Sequence, residues 1–166
     1  MNKKFLDTIE YSISDKNVLL RTDYNVPIKD DIIINDDRIK ASLPTIDLLW
    51  EKGVKNIIIV THLGRPRGKR NRGLSLEPIK KYLQQIYTDH DIYLTDLYQS
   101  QSIISKRENS IIIIENIRFY LEEERKSSRI NIELFEQKLE KLADIFVNDA
   151  FGTCHRNHCS MMGKGY

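Results

Sequence analysis

The sequence contains no uninterrupted apolar run near the roughly 18 residues of a membrane-spanning helix, so no membrane partner is expected. It opens MNKKFLDTIEYSI, a short basic patch that soon turns acidic. The long apolar core and small-residue cleavage site of a secretory leader are missing, and the expected location is the cytoplasm. Cysteine is scarce: Cys154 and Cys159 lie five apart, too few for a disulfide framework, and are expected to be reduced thiols. Charge of one sign is not in excess. The 26 lysines and arginines are nearly cancelled by 24 acidic residues, leaving +2, so total charge gives no reason to expect nucleic acid. Internal repeats and low-complexity segments are also lacking. What remains is an ordinary globular balance, 40% hydrophobic and 30% charged over 166 residues, which suits one domain, 1–166, with a sizeable core.

The most informative stretch is NIIIVTHLGRPRG, residues 56–68. Four β-branched residues, Ile57, Ile58, Ile59 and Val60, suit a strand buried on both faces. The run stops at Thr61 and His62, and Gly64, Pro66 and Gly68 then force an irregular loop. His62, Arg65 and Arg67 therefore sit just past the strand's carboxyl end, the edge where open α/β sheets bind ligands. Three donors there suit an anion. A plain basic loop between strand and helix accounts for this stretch equally well.

Similar runs recur. NVLLRT (17–22), SIIII (110–114) and residues 144–147 read as buried strands, residues 92–94 as a further one, and residues 32–34 as a short extension. Between them lie helical patterns. Asn35, Asp36 and Asp37 start one, with Ile39, Leu43, Ile46, Leu49 and Trp50 inward, Pro44 kinking it or opening a second piece, and Gly53 closing it. Ser75 caps another, with Glu77 and Pro78 in its first turn and Ile79, Tyr82, Leu83 and Ile86 inward. Residues 96–106 form a short helix, and Asn131 opens the last, with Ile132, Phe135, Leu139 and Leu142 inward. Residues 69–73 are polar and basic and are expected to be mobile. Strands alternating with helices predict a three-layer, Rossmann-like α/β fold with a mainly parallel sheet and helices on both faces.

Parallel strands place all their exits on one rim. That brings together Arg21, Asp23 and Asn25 from the first, His62 and Arg65 from the second, Asn116 and Arg118 from the third, and Asn148, Asp149, His155, Arg156 and His158 from the last. Arg38 begins the first helix near the same rim. Arginine presents a planar fork that matches carboxylate or phosphate. A phosphorylated carboxylic acid carries roughly −2.5 to −3 at neutral pH and fits this set. Asp23, which only accepts hydrogen bonds, would read a hydroxyl on such a ligand, with Asn25 beside it.

Simpler readings stand beside this one. Asp23 and Asn25 could shape the turn before Pro27, Arg118 could pair with the acidic run 122–124, and Asn148 and Asp149 could be turn formers. Cys154, His155, His158 and Cys159 are zinc-ligand types, although four ligands within six residues would need a very cramped loop. The cluster Arg65, Arg67, Lys69, Arg70 and Arg72 could bind nucleic acid, but it lacks the aromatics on which bases stack.

RTDYNVP (21–27), NDDRIKASLPT (35–45), THLGRP (61–66), ENIRF (115–119) and VNDAFGTCHRNH (147–158) together resemble the amino-terminal domain of the phosphoglycerate kinase family. The likeness runs over about residues 17–160, and five motifs in register make it specific. It implies phosphoryl transfer between 1,3-bisphosphoglycerate and ADP, giving 3-phosphoglycerate and ATP. By motif match, Asp23 and Asn25 would contact the glycerate, and His62, Arg65, Arg118 and Arg156 its phosphate. Tyr24, Leu63 and Gly64 would complete the substrate-binding set, and Arg38 would be the catalytic residue nearest the transferred group. The MgATP or MgADP of the family belongs to a separate nucleotide-binding domain not found in these 166 residues, so no cofactor or metal is expected here. The chain is expected to be a monomeric, truncated half enzyme, inactive alone. Cys154, Asn157 and Cys159 stand where the family tends to have small residues, and the tail MMGKGY departs from the family pattern.

Overall fold

The structure is a computed structural model, and it describes residue 6, residues 12–150, residue 152 and residues 157–161. Five parallel strands form the central sheet: β1 (Asn17–Thr22), β4 (Asn56–Val60), β5 (Asp91–Thr95), β6 (Ser110–Ile114) and β7 (Ile145–Asp149), in the order β5-β6-β4-β1-β7. A small antiparallel hairpin, β2 (Ile28–Lys29) with β3 (Ile32–Ile33), follows the exit of β1.

Strand register explains the three layers. Successive side chains point to opposite faces, and the isoleucine-rich strands β4 and β6 are apolar on both. On one face Val18, Leu20, Ile57, Ile59, Ile111 and Ile113 pack against Ile39, Ile46 and Leu49, and against Ile79 and Leu83. These come from α1 (Asp37–Lys40), α2 (Leu43–Glu51) and α3 (Glu77–Ile86). On the other face Leu19, Ile58, Val60, Ile112 and Ile114 meet Ile104 of α4 (Ser100–Ile104) and Phe135 and Leu139 of α5 (Arg129–Glu140). The first two crossovers thus cover one face and the last two the other, as the alternating pattern predicts.

The helix expected after Asn35 divides at Ser42, whose hydroxyl donates to the Ile39 carbonyl at 2.9 Å. Pro44 lies in the first turn of α2, where its missing N–H costs nothing, so it opens a second piece, one of the two roles expected for it. Other boundaries differ from the sequence reading. The last helix starts at Arg129 rather than Asn131, because Ser128 accepts the Asn131 N–H at 3.2 Å and takes the cap. The helix predicted over 96–106 is only Ser100–Ile104, since Asp96 accepts the Tyr98 N–H at 2.8 Å and holds a turn ahead of it. Ile86 is exposed rather than inward. Residues 69–73 are tied down rather than loose. Arg70 bonds Asp96 and lies over the Phe119 and Tyr120 rings at 5.9 and 6.0 Å, while Asn71 accepts the Gly73 N–H at 2.9 Å.

At the foot of the sheet, where β5 and β6 begin, Trp50 stacks on His90 with ring centroids 4.2 Å apart and planes 8° from parallel. His90 Nδ1 lies 3.1 Å from the Asn109 carbonyl oxygen. Among the described residues no helix is long and apolar enough to cross a membrane.

Candidate functional site

At the carboxyl rim the loops leaving β1, β4 and β6 are stitched into one network. Thr61, buried at the end of β4, accepts the Tyr24 N–H at 2.9 Å and donates to the Thr22 carbonyl at 3.0 Å. Asn25 reaches across to accept the Gly64 N–H at 2.8 Å. Buried Asn116 clips the third loop on: its Oδ1 accepts the N–H groups of Leu63 (3.3 Å) and Arg118 (3.2 Å), and its Nδ2 donates to the carbonyls of Leu63 (2.8 Å) and Leu74 (2.9 Å). Arg118 completes the circuit by donating to the Gly64 carbonyl at 2.9 Å. Gly64 therefore gives both its backbone groups to the network. Its φ of +61° and the 2.7 Å separation a Cβ would have from Leu74 Cδ2 favour glycine there.

Charge gathers on this frame. Asp23 Oδ2 accepts from Arg38 at 2.6 Å, Asp23 Oδ1 accepts the Asn25 N–H at 3.2 Å, and His62 Nε2 lies 3.9 Å from the same oxygen. Arg38 is half exposed, with 52% of its side chain open to solvent, whereas His62 is buried. Arg118 is buried as well, 3.9 Å from Glu124, so the alternative pairing with the acidic run exists geometrically. Arg65 projects into solvent from the glycine turn, and among the described residues no hydrogen bond or ion pair holds its guanidinium. A Cβ on Gly152 would stand 3.3 Å from Asp23 Oδ2, which places the exit of β7 against the same carboxylate.

Asp23, Asn25, Arg38, His62, Gly64 and Arg118 are thus brought together, with Arg65 beside them. Tyr24 and Leu63 serve differently. The Tyr24 ring is fully buried, its hydroxyl 2.7 Å from Ser42 Oγ. Burial pushes that phenol up to about 12. Leu63 is buried, its peptide held at both ends by Asn116. Both support the loops from within and do not present side chains to the rim. Asn148 accepts the Ala150 N–H at 3.0 Å, as a turn former does. Asp149 is half-buried, and burial raises its carboxyl against the pull of a Thr45 hydrogen bond. Arg156, Cys154 and His155 lie outside the described residues, and with them the zinc arrangement. Among the described residues no group of three His, Cys, Asp or Glu side chains is placed to hold a metal ion.

Arg21 is the largest departure from the sequence reading, which put it on the rim. It is fully buried beneath it. Its Nε donates to Ser160 Oγ at 2.8 Å, one terminal nitrogen donates to the Thr22 carbonyl and to that of Val60 at 3.4 Å, and the other lies 3.4 Å from His62 Nδ1. Buried Glu123 stands 4.0 Å away and accepts the Ser160 hydroxyl at 2.5 Å and its N–H at 3.0 Å. Burial lowers the Arg21 pKa and raises that of Glu123, each opposed by the charge of the other. Sequence reasoning missed Ser160 and the inward role of Glu123. A serine 37 residues past Glu123 carries no signal of contact.

Comparison with known proteins gives one consistent answer. A family model described as phosphoglycerate kinase matches residues 7–165. A phosphoglycerate kinase from Plasmodium falciparum is 42% identical over 164 residues, 91% of this chain and 39% of its own. That from Euplotes crassus is 40% identical, covering 98% and 42%. Among solved structures, phosphoglycerate kinase from Pyrococcus horikoshii superposes with a TM-score of 0.74 at 35% identity, covering 93% of this chain and 38% of that one. The Coxiella burnetii enzyme gives the same score at 33% identity, covering 93% and 37%. The chain spans about two fifths of the length of these curated relatives.

Proposed function

We propose, because the chain belongs to the phosphoglycerate kinase family and corresponds to its amino-terminal domain, that its sheet rim binds 3-phosphoglycerate or 1,3-bisphosphoglycerate for phosphoryl exchange with a nucleotide. The observation that carries this reading is the placement of Asp23 between Arg38 and His62, at 2.6 and 3.9 Å, on a rim that also carries Arg65. A carboxylate set between Arg38 and His62 is an odd receptor for simple phosphate. It is a sensible one for a phosphorylated acid that also bears a hydroxyl, since ionised Asp23 can only accept hydrogen bonds.

In this reading Asp23 takes the glycerate hydroxyl, with Asn25 setting the loop. Arg65, Arg118, His62 and Arg156 receive the phosphate remote from the reaction. Arg38 is held at the rim by its Asp23 bond yet remains half exposed, and it meets the group in transit. Phosphoryl transfer asks for alignment and cations rather than covalent help. ADP or MgATP is the second substrate and falls to a separate nucleotide-binding domain. Water exclusion depends on the two halves closing, so these 166 residues alone are expected to bind without turning over. The same reading makes the chain a cytoplasmic monomer with no call on nucleic acid or membrane.

Calorimetric titration of the chain with 3-phosphoglycerate and then MgATP tests it. Heat from the first and none from the second is expected. Saturable MgATP binding without 3-phosphoglycerate binding would overturn the assignment.

A further inference from the structure

We propose that Arg21 is a positioning residue that fixes His62 as the neutral imidazole protonated on Nε2, the ring nitrogen on the Asp23 side. The tautomer itself follows from the buried network; its consequence for ligand binding rests on the reading of the rim as the phosphoglycerate site.

The argument is one of donors and acceptors. A guanidinium has five N–H groups and no acceptor. Its terminal nitrogen 3.4 Å from His62 Nδ1 is useful only against a lone pair there. A neutral imidazole carries one N–H, so with Nδ1 bare the proton belongs on Nε2, the nitrogen 3.9 Å from Asp23 Oδ1. The opposite tautomer sets N–H against N–H in a site where His62 is 2% exposed, leaving buried donors unmatched. The imidazolium sets two cations together where little water screens them. Among the described residues, Arg21 from β1 and Asp23 from the loop after it bring charge to the ring. Asp23 is nearer to Arg38, at 2.6 Å, and already shares its charge there.

Arg21 can act this way because it is itself immobilised. Ser160 accepts from its Nε and donates onward to Glu123, and the Thr22 and Val60 carbonyls hold the other side. Glu123 is in turn tied to the segment at residues 159–161: its carbonyl accepts the Cys159 N–H at 3.0 Å. A buried ion pair rarely adds stability over apolar packing, and a leucine would suit this strand position better on packing grounds. The arrangement makes sense as one that sets the orientation of a ring. Ser160, Glu123 and Arg21 form a continuous path from the last described segment to His62.

The test is long-range proton–nitrogen NMR of the full chain with nitrogen-labelled histidine near pH 7, without ligand, His62 being assigned by its loss in His62→Asn. Expected is one form, protonated on Nε2 and bare on Nδ1. Replacing Arg21→Met together with Glu123→Gln, so that no lone charge stays buried, should abolish that preference and produce a tautomer mixture in a chain that circular dichroism shows to be folded. A wild-type ring protonated on Nδ1, or on both nitrogens, overturns the proposal. So does a folded double variant that keeps the wild-type pattern. Should the double variant not fold, Arg21→Gln with Glu123→Gln takes its place under the same two criteria, since a glutamine at position 21 offers Nδ1 an acceptor as well as a donor. The measurement uses no phosphoglycerate, so failure of the tautomer and failure of the substrate reading are seen separately.

Discussion

The side-chain oxygen of Asn25 accepts the backbone N–H of Gly64 at 2.8 Å, which locks the loop after β1 to the loop after β4. The lock needs the left-handed backbone at Gly64, and an added methyl would meet Leu74 at 2.7 Å. Gly64→Ala should therefore cost about 2 kcal/mol of stability from backbone strain. Urea denaturation reads the loss, and calorimetry should show weaker 3-phosphoglycerate binding in the fraction that remains folded. An unchanged midpoint would mean that the loop relaxes freely, and the rigid-rim picture would fail.

Asn116 answers for four backbone groups at once. Asn116→Ala leaves buried N–H and carbonyl groups without partners, and each such group costs about 1–3 kcal/mol. A total near 3 kcal/mol is expected, since part of the loop can reach water. The check is a denaturant series in which Asn116→Asp, which keeps the acceptor and loses the donors, falls between wild type and alanine.

Binding should separate Arg65 from Arg38. If Arg65 holds the remote phosphate as proposed, Arg65→Ala removes a charge-assisted contact worth about 2 kcal/mol and should weaken 3-phosphoglycerate by more than tenfold. Arg38→Ala should cost less, because Arg38 is assigned to the group in transit. Titration of both variants decides. Lost binding with Arg38→Ala alongside intact binding with Arg65→Ala would reverse the roles.

Acid stability should depend on Asp96. Burial tends to raise its carboxyl, but the Tyr98 N–H, the Tyr120 hydroxyl and Arg70 together hold it below the usual value of 3.8. Its folded pKa is thus lower than its unfolded one. The stabilisation is present above the unfolded value and is lost as pH falls through the folded one. Asp96→Asn should lower stability at pH 7 and flatten the acid limb of the stability profile below about pH 4. Parallel limbs for variant and wild type would argue against this pairing.

Cys159 should be inert. Burial pushes its thiol up to about 12, and its Sγ donates to the Glu122 carbonyl at 3.0 Å. Thiolate is the reactive form, so at pH 8 alkylation of Cys159, followed by site-resolved mass spectrometry, should be slow in the native chain and rapid in denaturant. Equal rates would show that residues 157–161 are not docked.

The sheet and its layers were legible because period-2 and period-3.6 apolar patterns leave little choice of face. The rim residues were legible because parallel strands must put their exits together. Helix limits were less so: the cap at Ser128 competes with Asn131, and only packing decides between two good capping side chains. Arg21 shows the limit most clearly. Its position next to Asp23 predicts a rim donor, but strand alternation turns its side chain inward, and the partners that make burial tolerable come from Glu123 and Ser160, more than a hundred residues away. Local sequence carries no record of such a pairing.

The chain has one tryptophan, and it lies flat against His90 at the foot of the sheet, the end away from the rim. Its fluorescence therefore gives an optical reporter at the far pole of the molecule from the ligand. Unfolding should release the ring pair and change the emission. A label-free readout of folding thus comes built into the scaffold, and it should stay silent when the rim is filled.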